Sequence, residues 1–178
     1  ESEPVEAEDD NANEEVVQIY ERDETNTVAD GGDDEKSVSH VAASNYIFSD
    51  NDTITWPVNG GIILGYSVDN TVWYKTLGQY KVNDGIVIGA DEGDDIVAGA
   101  SCVVTDISTS PEYGLTITFD IGNGYEMLYG QVENSENLTV GSTVAEGDKI
   151  AVVAKPSRYF TAEGSNIFFK MTTAYFGI

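Results

Sequence analysis

The sequence is poor in the side chains that most enzyme sites require. It holds one cysteine, Cys102, and one histidine, His40. A single thiol excludes an internal disulfide and any zinc module built on several cysteines. A single imidazole excludes a protein-only site made from two or more histidines. It also leaves no Ser-His-Asp or Cys-His pairing inside the β-rich part of the chain. Basic residues are scarce as well: 8 Lys and Arg stand against 32 Asp and Glu, a formal charge of −24. A field of that sign repels phosphate backbones and argues against nucleic acid as a partner. No apolar run approaches the roughly 20 residues of a membrane-spanning helix. Attachment to a membrane would therefore come only through an anchor missing from this chain.

The acids are unevenly placed. Residues 1–52 carry 17 acids and 2 bases, a net −15, whereas residues 53–178 carry 15 and 6, a net −9. The stretch 1–45 has little apolar content and includes Gly31-Gly32 followed by Asp33-Asp34. Such a segment cannot bury enough surface to offset its ordering entropy, so it reads as a disordered, acidic, flexible spacer. Its deletion is expected to leave the stability of the rest unchanged. The first residues, Glu-Ser-Glu-Pro, contain no initiator methionine and read as a processed, mature form or a recombinant piece of a longer chain.

Residues 46–178 have a different texture and the length to bury a real core. Runs rich in Val, Ile, Thr, Tyr and Phe alternate with Gly, Asn and Asp clusters. They are Ile62–Tyr66, Val72–Tyr74, Gly85–Ile88, Ile96–Ala98, Val103–Ile107, Thr116–Asp120, Tyr125–Tyr129, Lys149–Val153 and Asn166–Met171. Their period is two, and no segment sustains a helical stripe. Asn123-Gly124 between two alternating runs predicts a tight hairpin. These features specify an all-β domain of mostly antiparallel strands. Within it, Val140-Gly141, Val144, Gly147, Ile150 and Val153 form a glycine-aliphatic corner with its aliphatics turned inward. This spacing recurs in barrel-sandwich hybrids. Lys149 leads directly into the apolar run 150–153 and reads as an ordinary surface lysine rather than a lipoyl-type lysine.

Residues 54–171 resemble the LytM or lysostaphin-type zinc peptidases, which cut peptide bridges in bacterial peptidoglycan. The resemblance rests on the order and spacing of Trp56-Pro57-Val58-Asn59-Gly60, Gly85-Ile86-Val87-Ile88, Asp120-Ile121-Gly122-Asn123-Gly124-Tyr125, Tyr129-Gly130-Gln131-Val132, the Val140–Val153 corner and Gly164-Ser165-Asn166-Ile167-Phe168-Phe169. It implies a β-sandwich of the barrel-sandwich hybrid type. It also implies a zinc held by an H-x-x-x-D element and an H-x-H element, with a further histidine in a Y-x-H-L motif. In this sequence the first histidine falls on Asn83 and the aspartate on Val87. The H-x-H pair falls on Asn166 and Phe168, the Y-x-H-L histidine on Gln131, and the histidine before Gly-Asn-Gly-Tyr on Ile121. Valine and phenylalanine offer no lone pair, and an asparagine carbonyl suits zinc poorly.

The resemblance therefore implies a degenerate member, similar to SpoIIQ-like proteins, with no metal, no cofactor and no catalytic residue. Asn83, Val87, Ile121, Tyr129, Gln131, Asn166 and Phe168 would form a relict groove. That groove would either bind an extended peptide through its amides or be filled by side chains that satisfy one another. The expected role is a binding or scaffold module of the bacterial cell envelope, outside the cytoplasm, for an envelope protein or peptidoglycan stem peptides. The competing expectation is a peptidase active through a non-standard metal site or only with a partner. Asp91, Glu92, Asp94 and Asp95 around Gly93 read as a solvated turn rather than a calcium loop, and Cys102 as a small buried hydrophobe. Trp56, Trp73, Tyr74, Tyr80, Tyr159, Phe160, Tyr175 and Phe176 read mostly as core or strand-edge residues. Several of them exposed on one face would mark a partner patch.

Overall fold

The computed structural model describes residues 46–173. The expected spacer at 1–45, and Tyr175 and Phe176, lie outside the described residues. Within them are twelve strands and no helix.

Seven strands, numbered in chain order, form one sheet. From edge to edge they are β1 (Ile62–Leu64), β4 (Ile86–Gly89), β12 (Asn166–Thr173), β8 (Tyr125–Gly130), β7 (Gly114–Gly122), β6 (Cys102–Ser110) and β10 (Thr143–Val144). A second sheet has the order β5 (Asp95–Val97), β11 (Lys149–Val153), β9 (Val132–Glu133), and β2 (Ser67–Tyr74) pairs with β3 (Gln79–Asn83) as a separate hairpin. Every one of these pairings is antiparallel.

Side-chain alternation divides the large sheet into two working faces. On β12, Ile167 and Phe169 join the main core, whereas Phe168 between them joins a second cluster with Tyr74, Val87 and Phe160. The main core also draws Ile96 from β5, Val132 from β9, and Ile150, Ala151 and Val153 from β11. One face is thus packed by the three-stranded sheet, and the other carries the smaller cluster beneath the β2–β3 hairpin. The β7–β8 turn is the one read from Asn123-Gly124: both residues have positive φ, 52° and 78°, as a type I′ turn demands. Cys102 is fully buried in the main core, where burial and then Asp120 push its thiol up to about 12.

Several expectations need correcting. Strand β3 was not expected because its pattern is inverted: the polar Lys81 and Asn83 turn inward and Tyr80 and Val82 face solvent. Strands β9 and β10 are two residues long and too short to show a period. At the glycine-aliphatic corner, Val144, Ile150 and Val153 are buried as expected, but Val140 is 52% exposed. It precedes Gly141, whose φ of 93° reverses the chain before the strand begins. Lys149 is a surface lysine with Asp95 at 2.8 Å and Glu136 at 3.5 Å.

Candidate functional site

Five of the seven groove residues converge. Asn166 and Phe168 share a face of β12 by the strand's period of two, and Phe168 is in register with Val87 of β4. Asn83 ends β3 and enters from the hairpin. Gln131 follows β8 with φ 60°, an uncommon conformation for a residue with a side chain. That backbone is held on both sides. Its N–H donates to the Tyr113 carbonyl at 2.6 Å, and its carbonyl accepts from the Ala154 N–H at 3.0 Å.

The amides are largely spent on their surroundings. Gln131 Nε2 donates to Asn166 Oδ1, and Gln131 Oε1 accepts from the Ser157 N–H at 3.0 Å. Asn166 Nδ2 donates to the Gly164 carbonyl at 2.6 Å. Asn83 Nδ2 donates to the carbonyls of Gly65 at 2.9 Å and Leu64 at 3.4 Å, while its Oδ1 is buried without a partner. Buried amides paired in this way cost little to keep, and the one orphan acceptor carries a penalty.

The space above these residues is filled by aromatic rings that the sequence did not single out for it. Tyr113 stacks on Phe168 with ring centroids 4.1 Å apart and planes 23° apart. Phe160 packs against both Tyr74 and Tyr113, each at 6.0 Å. Gly130 permits the stack, because a Cβ there would lie 3.0 Å from the Tyr113 Cβ and 3.4 Å from the Phe168 Cβ. Gly85 is tighter still: a Cβ would meet the Phe168 ring and the Phe169 carbonyl, each at 2.6 Å.

The cover is fastened at its rim. Glu163 accepts from the Thr76 N–H at 3.2 Å and from its hydroxyl, and the Thr76 hydroxyl accepts from the Ala162 N–H at 2.7 Å. Lys81 pairs with Glu112 at 2.7 Å and lies 5.0 Å from the Tyr74 ring centroid. Burial, followed by Glu112, Asp84 and Glu163, pushes the Tyr74 phenol up to about 12. Tyr113 is shifted the same way by burial and then by Glu112. No spacing in the sequence marks Tyr113 or Phe160 as the cover; the only signal is an aromatic beside a glycine in Tyr113-Gly114.

Two residues do not belong to this group. Tyr129 and Ile121 are buried in the main core, on the opposite face of the sheet. Tyr129 is in register with Phe169, not Phe168, and packs between Phe119 and Phe169. Its hydroxyl accepts from the Gly99 N–H at 2.9 Å. Their expected place in the groove is therefore corrected: alternation along β7 and β8 turns both inward.

The zinc that the resemblance implies does not fit these residues. Val87 and Phe168 present only carbon, and the amides of Gln131 and Asn166 are engaged with each other and with Ser157 and Gly164. Asn83 Oδ1 alone cannot replace three zinc ligands. Among the described residues no group of three or more His, Cys, Asp or Glu side chains is placed to hold a metal ion.

Residues 81–175 match the model of peptidase family M23, a span that contains all seven residues. Over 111 residues the chain is 33% identical to the murein hydrolase activator EnvC of Escherichia coli (strain K12), covering 59% of this chain. The match spans about a quarter, 25%, of that relative's length. A chain in the crystal structure of the SpoIIIAH and SpoIIQ complex superposes with a TM-score of 0.56 at 18% identity, covering 67% of this chain and 92% of that one. The catalytic domain of lysostaphin from Staphylococcus simulans gives 0.51 at 18% identity, covering 67% and 84%. At these identities the two structures share the fold.

Proposed function

The chain belongs to peptidase family M23, and from that premise we propose that it is a non-catalytic binding module of the bacterial cell envelope. The observation that carries this reading is the sealed family site. Asn83, Val87, Gln131, Asn166 and Phe168, the positions on which the resemblance places the zinc ligands and their helpers, are buried, and Tyr113 is stacked on Phe168. Two carbon-only side chains and amides already engaged with one another offer no donor set for a cation that would lower the pKa of a water toward neutrality.

A binding role has support from the relatives. One is named for activating a murein hydrolase, and another of the same fold is seen in the SpoIIQ–SpoIIIAH pore forming complex. The module acts outside the cytoplasm on an envelope protein or on peptidoglycan stem peptides. Residues 1–45 serve as its acidic spacer. Metal analysis of the purified protein, together with dye release from labelled peptidoglycan, tests the reading. Far less than one zinc per chain and no release are expected. Stoichiometric zinc with turnover would overturn it and favour a peptidase with a non-standard metal site. Capture on purified sacculi, compared with capture of envelope proteins, separates the two kinds of ligand.

A further inference from the structure

Trp73 and Tyr80 are exposed as a pair on the β2–β3 hairpin, their ring centroids 5.1 Å apart, but apolar exposure alone selects no occupant. A groove on the main-core side of the large sheet joins apolar surface to charge. It is made by the segment 46–54, which crosses the β7–β8 turn. Asn123 Nδ2 donates to the Phe48 carbonyl at 2.8 Å, and the Phe48 ring packs edge-on against Tyr125 with centroids 5.3 Å apart. Gly122 lets the segment pass so close, because a Cβ there would overlap the Tyr46 carbonyl. Between this segment and the ends of β8 and β12 lies a groove of about 430 Å³, at the small end of ligand sites. Phe48, Ile54, Tyr125 and Met171 give it apolar walls, and Asp50 and Asp52 give it charge.

That charge is local and of one sign. Among the described residues no lysine or arginine lines the groove. Lys170, next to Met171, turns to the opposite face of β12 and pairs with Asp84 at 2.6 Å. One oxygen of each carboxylate is already engaged. Asp50 Oδ1 accepts from the Tyr125 hydroxyl, and Asp52 Oδ2 accepts from the Ser49 N–H and hydroxyl, each at 2.9 Å. Asp50 Oδ2 and Asp52 Oδ1 remain as acceptors. Neither carboxylate can then offer both oxygens to the planar fork of a guanidinium, whereas a compact ammonium bonds to single oxygens. The apolar walls suit the aliphatic stem of a lysine. A peptidoglycan stem peptide would bring carboxylates of its own to a groove that already holds two.

We infer that this groove binds a lysine side chain presented by an extended segment of a partner protein, with its stem against Phe48, Ile54 and Met171 and its ammonium at Asp50 and Asp52. This rests on the reading of the chain as a binding module and gives that module a contact separate from the sealed family site.

The test titrates the whole chain with a short capped alanine peptide carrying one central lysine, following backbone amide shifts. The same peptide with arginine, acetyl-lysine or norleucine at that position, and a lysine-containing stem peptide, serve as comparisons. Tightest binding by the lysine peptide is expected, with shifts at Asp50, Asp52, Tyr125 and Met171. The double variant Asp50→Asn, Asp52→Asn keeps acceptors for Tyr125 and Ser49 and should melt near the parent, but should bind roughly tenfold more weakly. Raised salt should weaken binding by the parent and leave the variant little changed. No shifts at the groove, equal binding by acetyl-lysine or norleucine, tighter binding by arginine or the stem peptide, or undiminished binding by the variant would each overturn the inference. So would tighter lysine binding once residues 174–178 are removed, which would make the chain's own end the occupant. Self-association abolished in the variant would overturn it too, in favour of a second copy. Failure on any of these counts leaves the non-catalytic reading standing, whereas zinc-dependent turnover would remove that reading and leave the groove in place.

Discussion

The two faces of the seven-stranded sheet are built from the same strands but hold together differently. On the main-core side, Ile117, Phe119, Ile167 and Phe169 meet the aliphatics of β11, and the deeply buried Tyr129 hydroxyl is hydrogen bonded. On the other side, a smaller apolar cluster sits beside linked amides and one orphan acceptor. Because alternate residues of one strand serve the two faces, either face can change composition while the other keeps its packing. The second face can therefore be lined by Val87 and Phe168 without disturbing the main core.

Truncation of one phenylalanine on each face gives the largest expected effects and tests the comparison directly. Phe119→Ala should cost about 3–5 kcal/mol in chemical denaturation, since its neighbours are rigidly packed. Phe168→Ala should cost less, about 2–3 kcal/mol, because the half-buried Tyr113 can settle into the space. Equal losses would show that both faces are equally rigid. Next, Gln131→Ala should cost about 1–3 kcal/mol by stranding the Ser157 N–H and Asn166 Oδ1. A double-mutant cycle with Asn166→Ala should return a coupling of about 0.5–3 kcal/mol. Zero coupling would reduce the amide link to a bystander.

The smallest effect is silent at neutral pH. Tyr74 and Cys102 have folded pKa values raised to about 12 from 10.0 and 9.0. The folded state therefore keeps protons that the unfolded chain releases. Stability is fully present below the unfolded values and declines as pH rises from 9 through 12. Cys102→Ala should make the onset of that decline shallower and Tyr74→Phe its continuation, to which Tyr113 and Tyr129, also shifted upward by burial, contribute the rest. Thermal unfolding across this range measures both, and an unchanged slope would show that neither group is protonated preferentially in the folded state.

Sequence made the strands legible wherever apolar residues faced the core, and it failed at β3, whose apolar residues face water. Which of the candidate groove residues share a face was only partly legible. Tyr129 and Gln131 are two residues apart and should share a face by the period of two. The left-handed backbone at Gln131 breaks that period and sends its amide to the opposite side. A non-glycine residue in that conformation leaves no mark in composition. Nor does any spacing show that Tyr113, from the β6–β7 turn, closes over Phe168, since that contact depends on how the turn folds back.

The position of β12 has a consequence for how this domain is made. The last described strand lies between β4 and β8, and both of its edges are paired. Until Asn166–Thr173 leaves the ribosome, the large sheet exists only as two separate pieces, each with an unsatisfied row of amides facing the other. Closure is thus a late step built on long-range pairing, which is slow. A nascent chain halted before Phe169 would present two open strand edges to its neighbours, the condition under which β-rich chains aggregate.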